Sequence, residues 1–88
     1  MRINDKMLIE SINHSKKTYY YLKRTKYREV QLMKRGLLYE YLFKDQDVKE
    51  EDRKLELIQK GMLAEKMLNE KVFEDMIKPD NNWGGKDD

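Results

Sequence analysis

The apolar positions of this chain repeat at helical spacing along almost its whole length. Ile3, Leu8 and Ile12 share one side of a first short helix, which Asn4 or Asp5 can cap. Asn13-His14-Ser15 is a break, with Ser15 placed to cap the next helix, unless the stretch simply continues and fuses the first two helices. Over 16–43, at about 100° per residue, Tyr19, Leu22, Val30, Met33, Leu37 and Tyr41 fall on one stripe. Lys16, Lys17, Lys23, Arg24, Arg28, Lys34 and Arg35 fall largely on another, and Lys26 interrupts the apolar one. The segment is expected to be one long basic amphipathic helix. Leu38, Tyr39, Leu42 and Phe43 widen its apolar surface at the end.

Asp45-Gln46-Asp47 is the expected connection, with Asp47 capping a third helix whose first turn holds Glu50, Glu51 and Asp52. That helix carries two stripes. Leu55, Ile58 and Met62 form one; Leu57, Gly61, Ala64 and Leu68 form the other, nearly opposite. A helix with two apolar faces packs on two sides. Asn69 can cap a short fourth helix over 70–77, with Val72, Phe73, Met76 and Ile77 inward and Pro79 as its terminator. The expected architecture is all-α: three to four helices forming one small domain over 1–79, then an extended acidic tail over 80–88 that holds Trp83, the only tryptophan.

Composition adds a constraint. Of the 88 residues, 39% are apolar and 41% charged, with no cysteine and one histidine. A chain this short has a marginal core. Disulfides and His-rich metal sites are ruled out as its support, so a partner or self-association is the expected support. No run approaches the ~18 apolar residues of a membrane span, and the N-terminus lacks the apolar stretch of a signal peptide. The expected location is intracellular.

Charge is distributed unevenly. Residues 16–35 hold eight bases against one acid, whereas residues 46–88 hold twelve acids against eight bases; the net charge is only +2. Five of those bases, Lys23, Arg24, Arg28, Lys34 and Arg35, are the candidate contacts for nucleic acid or for an acidic protein surface. A pI of about 8.7 is modest for a dedicated nucleic-acid binder. Leu57, Gly61, Ala64, Leu68 and Trp83 are the candidate contacts for a protein partner or a second copy.

Catalytic chemistry has no foothold. Asp45, Asp47 and Glu56 have the first, third and twelfth spacing of a calcium loop, but Lys49 and Glu50 occupy the fifth-ligand and glycine positions. His14 has serines nearby but no matched acid. No enzyme activity, cofactor, metal or small-molecule substrate is expected.

Ala64-Glu65-Lys66-Met67-Leu68-Asn69-Glu70-Lys71-Val72-Phe73 has a further pattern. It resembles the segment A-x-x-L-L-x-[ND]-x-x-[FL] of small helical proteins encoded near the head-assembly genes of tailed phages. Ala64, Leu68 and Phe73 match, Met67 stands for the first leucine, and Glu70 takes the acidic or amide position. The resemblance covers about ten residues and implies a virion or assembly component. The expected function is therefore a non-enzymatic assembly or interaction protein. The alternatives are a nucleic-acid-binding accessory protein, and an inhibitor that caps a host enzyme through its acidic C-terminal half.

Overall fold

A computed structural model describes residues 2–45 and 52–77, and within them the chain is all-helical. Five helices succeed one another: α1 (Asp5–Ile12), α2 (Lys16–Thr25), α3 (Tyr27–Leu42), α4 (Arg53–Met67) and α5 (Glu70–Met76). This exceeds the expected three to four.

Four of the five helix starts are set by side-chain caps. Asn4 accepts from the Met7 amide at 3.0 Å, which leaves Asp5 as the first helical residue. Asn13 ends α1 in the left-handed region, and Ser15 then caps α2 by accepting from the Thr18 amide at 3.1 Å. Asp52 caps α4, and Asn69 caps α5 through the Val72 amide at 3.1 Å. Asp47, Glu50, Glu51, Pro79 and the 80–88 tail lie outside the described residues.

The long helix expected over 16–43 is two. Lys26, the residue that interrupts the apolar stripe, adopts φ −134° and ψ 55° and is at once the C-cap of α2 and the N-cap of α3. Its amide still donates to the Leu22 carbonyl, and its own carbonyl accepts from Val30. On either side of it α2 buries Tyr19 and Lys23, and α3 buries Val30, Leu32, Met33, Lys34, Gly36 and Leu38. The hydroxyl of Thr25, bonded back to the Tyr21 carbonyl at 2.9 Å, adds a local competitor to helix propagation.

Helices α3 and α4 form the main packing unit and run antiparallel. Four contacts set the register: Glu40 with Arg53, Gly36 with Leu57, Leu32 with Gly61, and Arg28 with Glu65. Each step moves four residues along α3 in one direction and four along α4 in the other. The two glycines make the approach close. A Cβ on Gly36 would sit 2.8 Å from the Leu57 carbonyl carbon, and one on Gly61 2.7 Å from that of Leu32. Backbone therefore lies directly on backbone at both points.

Two apolar clusters flank this seam. Leu8, Ile12, Tyr19, Val30, Met33 and Leu57 form the first. Ile3, Leu38, Ala64, Phe73 and Ile77 form the second, and Leu37 packs against both. Ile3 and Ile77 are also joined as a single parallel bridge, with the Ile3 amide donating to the Met76 carbonyl at 2.8 Å.

Candidate functional site

The five candidate bases do not share one open face, because two of them, Lys23 and Lys34, are buried. Lys23 and Lys34 come from different helices and converge on Asp5 at the start of α1. Lys23 Nζ lies 2.5 Å from Asp5 Oδ2, Lys34 Nζ lies 2.8 Å from Oδ1, and the Tyr19 hydroxyl donates to Oδ1 at 2.7 Å. Both lysine side chains are 1% exposed and Asp5 is 4% exposed. Burial pushes the Asp5 carboxyl up, but hydrogen bonds from Lys23, Lys34 and Tyr19 outweigh it and lower its pKa to about 2. This is a buried polar cluster fastening α1 to α2 and α3, not a surface for phosphates.

Arg28 and Arg35 are engaged as well. Both bind Glu65 of α4, Arg28 at 2.8 Å and Arg35 at 2.5 Å, and Arg35 also approaches Glu70 at 3.4 Å. The Arg35 guanidinium lies over the Phe73 ring, 4.2 Å from its centroid. The Arg28 bond leads the effects that hold the Glu65 carboxyl below its usual range. Of the five bases expected to meet nucleic acid or an acidic surface, only Arg24 is exposed with no ion pair among the described residues. The expectation for Lys23 and Lys34 is corrected by their burial, and that for Arg28 and Arg35 is weakened by their ion pairs with Glu65.

A third polar network clamps the far end of the α3–α4 pair. Arg53 binds Glu40 in a two-pronged bond, 2.6 and 2.7 Å, and also reaches Glu56 at 2.6 Å and the Ser11 hydroxyl at 3.2 Å. Lys60 meets Glu40 at 2.7 Å, Glu56 at 3.3 Å and Asp45 at 3.4 Å. The Asp45 and Glu56 considered for a calcium loop are thus partners of Lys60. Among the described residues, no group of three His, Cys, Asp or Glu side chains is placed to hold a metal ion. No helix among them is long and apolar enough to cross a membrane.

The expected partner contacts on α4 also lie inside the chain. Leu57, Gly61 and Ala64 are buried against α3, and Leu68 is half-buried beside the second cluster. Their stripe holds the fold together, which corrects their assignment to a partner. Trp83 lies outside the described residues.

The opposite side of α4 is different. Leu55 is 47% exposed and Met62 52% exposed; Leu63 and Met67 are exposed beside them. Ile58, the middle residue of the stripe Leu55–Ile58–Met62, is half-buried at the edge of a cleft of about 170 Å³ between α2, α3 and α4. A second apolar group, Tyr41, Leu42 and Phe43, is exposed at the end of α3, where Phe43 packs on Tyr39 with ring centroids 4.8 Å apart. Tyr21 is exposed, whereas Tyr19 is buried and meets the half-buried Tyr20 edge-on at 5.3 Å.

Sequence reasoning passed over Asp5, Glu65 and Glu40 as organising residues. Asp5 precedes Leu8 and Ile12 at spacings of three and seven, which places it on the apolar side of α1. Lys34 stands four residues from both Val30 and Leu38, inside an apolar row. A lone acid and a lone base in two apolar rows are the detectable trace of the buried cluster.

Comparison with known proteins adds no relative: no family model, no curated protein and no solved structure matches the chain.

Proposed function

We propose that this chain is a non-enzymatic helical module that binds another protein through the outer face of α4, as a subunit or accessory of a larger assembly. One observation carries the reading. Helix α4 uses Leu57, Gly61 and Ala64 to pack on α3 and still presents Leu55, Met62, Leu63 and Met67 to solvent. Large apolar side chains gathered on one helix face mark interaction sites, and methionine suits them because it adapts its shape to a partner.

The virion or assembly context rests on the resemblance over residues 64–73. Within that segment Ala64 and Phe73 are buried in the second cluster and Leu68 packs against it. The buried positions of the shared pattern therefore describe how this fold closes; of its apolar residues Met67 alone belongs to the exposed face, and the rest of the contact surface lies earlier on α4.

Photo-cross-linking tests the proposal. A benzophenone side chain placed at Met62 or Leu55 is expected to give discrete protein adducts in extracts of the producing cell. The same group at Lys17 or Arg24 is expected to give none. Adducts from the basic positions alone, or adducts to nucleic acid, would overturn it.

A further inference from the structure

We propose that the cleft between α2, α3 and α4 is an anchor site that receives one large apolar side chain from an acidic segment of the protein partner. The inference rests on the interaction reading above and specifies the chemistry of what is bound. The apolar lining of the cleft is Leu22 from α2, Val30 and Met33 from α3, and Ile58 from α4. Its volume is about 170 Å³. An apolar cavity of ~150 Å³ takes up benzene, so one aromatic or long aliphatic side chain fits and a larger ligand does not. The cleft opens to solvent, and its mouth adjoins the exposed stripe of Leu55 and Met62 on α4. A segment lying along α4 would pass over it.

The mouth determines the sign of the partner. Lys26 and Lys54 stand there, both exposed, with Glu29 as the acid beside them. Glu29 is shared with Lys26 at a loose 3.8 Å. Lys54 has no ion pair among the described residues, so its ammonium can meet an incoming carboxylate. An apolar residue flanked by Asp or Glu therefore matches both parts of the site, and one flanked by Lys or Arg is repelled. Exposed charge pairs contribute little each, so the apolar anchor supplies most of the affinity and the lysines supply selectivity.

The test is a methyl-NMR titration of the full chain with an acetylated, amidated pentapeptide whose central tryptophan is flanked by glutamates. Shifts are expected at the methyls of Leu22, Val30, Met33 and Ile58. They should vanish when the central residue of the peptide is alanine. Lysine in place of the glutamates, or Lys26→Gln with Lys54→Gln in the protein, is expected to weaken binding at least about threefold. No shifts at these methyls, or binding indifferent to the charges on either side, would overturn the proposal. A Met67→Gln variant separates the two readings: this side chain is exposed on α4 and does not line the cleft, so the change should weaken the α4 cross-link and leave the peptide titration unchanged. Failure of the titration with the cross-link intact removes the anchor site alone.

Discussion

Replacing Gly36 by alanine should destabilise this protein, although the same change at most helical positions does the opposite. Alanine is favoured over glycine within a helix by up to about 1 kcal/mol. Here the added Cβ would lie 2.8 Å from the Leu57 carbonyl carbon and closer still to its oxygen. The obstacle is the backbone of α4, so no rotamer change relieves it. The helices must separate by about 1 Å, and a gap of that size forfeits a quarter to a half of each dispersion contact along the seam. Overpacking of this kind typically costs about 1–3 kcal/mol, and the loss of contact at Leu32, Leu57 and Ala64 adds to it. We expect a net loss of about 3 kcal/mol, a large part of the ~5–10 kcal/mol available to a chain of this size. In thermal unfolding monitored by circular dichroism, each kcal/mol corresponds to about 4–8 °C, so Tm should fall by about 12–24 °C. Gly61→Ala should behave alike, because its Cβ meets the Leu32 backbone. The double variant should cost less than the two single losses combined, since helices already separated accommodate the second methyl. A Gly36→Ala protein as stable as the parent would refute the close-packed seam.

Asp5→Asn should cost about 3 kcal/mol at neutral pH by removing the carboxylate that meets Lys23 and Lys34, measured as a lower urea midpoint. Because the Asp5 pKa is lowered to about 2 in the fold, the parent should hold its full stability above about pH 4 and lose roughly 2 kcal/mol as pH falls through 2; the variant should lack this component. Burial and the nearby Lys54 lower the His14 pKa, and its buried Nδ1 has no hydrogen-bond partner among the described residues, so stability should decline as pH drops below about 6.5, a decline that His14→Gln should flatten. Glu65→Gln should cost about 1 kcal/mol, measured as a lower urea midpoint, by removing the carboxylate that Arg28 and Arg35 share. Met62→Lys should leave Tm nearly unchanged, because that side chain is half in water already.

The helical class, the break at Asn13-His14-Ser15 and the caps at Ser15 and Asn69 were legible because each rests on chemistry within a few residues. The division of 16–43 was half legible. Lys26 marked the fault in the stripe, but whether a charged residue in a stripe means a bent stem or a new helix depends on what the two halves pack against. The candidate site was the least legible part. Helical spacing shows that α4 has two apolar sides; it does not show which of them meets α3. Gly61 held the answer, because a glycine between Leu57 and Ala64 permits backbone contact that the other side, with Met62 and Leu63, does not. The basic stripe misled for a related reason. Lys23 and Lys34 read as solvated when taken along their own segment, and only the position of Asp5, far away in sequence, places them inside.

The clasp between Ile3 and Ile77 has a consequence for the order in which the molecule can be made. During synthesis α1 emerges first, yet the residues that cover Ile3, namely Phe73 and Ile77, are among the last of the described chain to leave the ribosome. The α3–α4 hairpin joins consecutive helices and can close as soon as Met67 is free. Until the chain reaches Ile77, the first isoleucine has no apolar neighbour from the far end and the Ile3 amide lacks the Met76 carbonyl as its acceptor. A nascent chain stalled before that point would display its N-terminal segment to chaperones and proteases, and final closure would coincide with the arrival of α5.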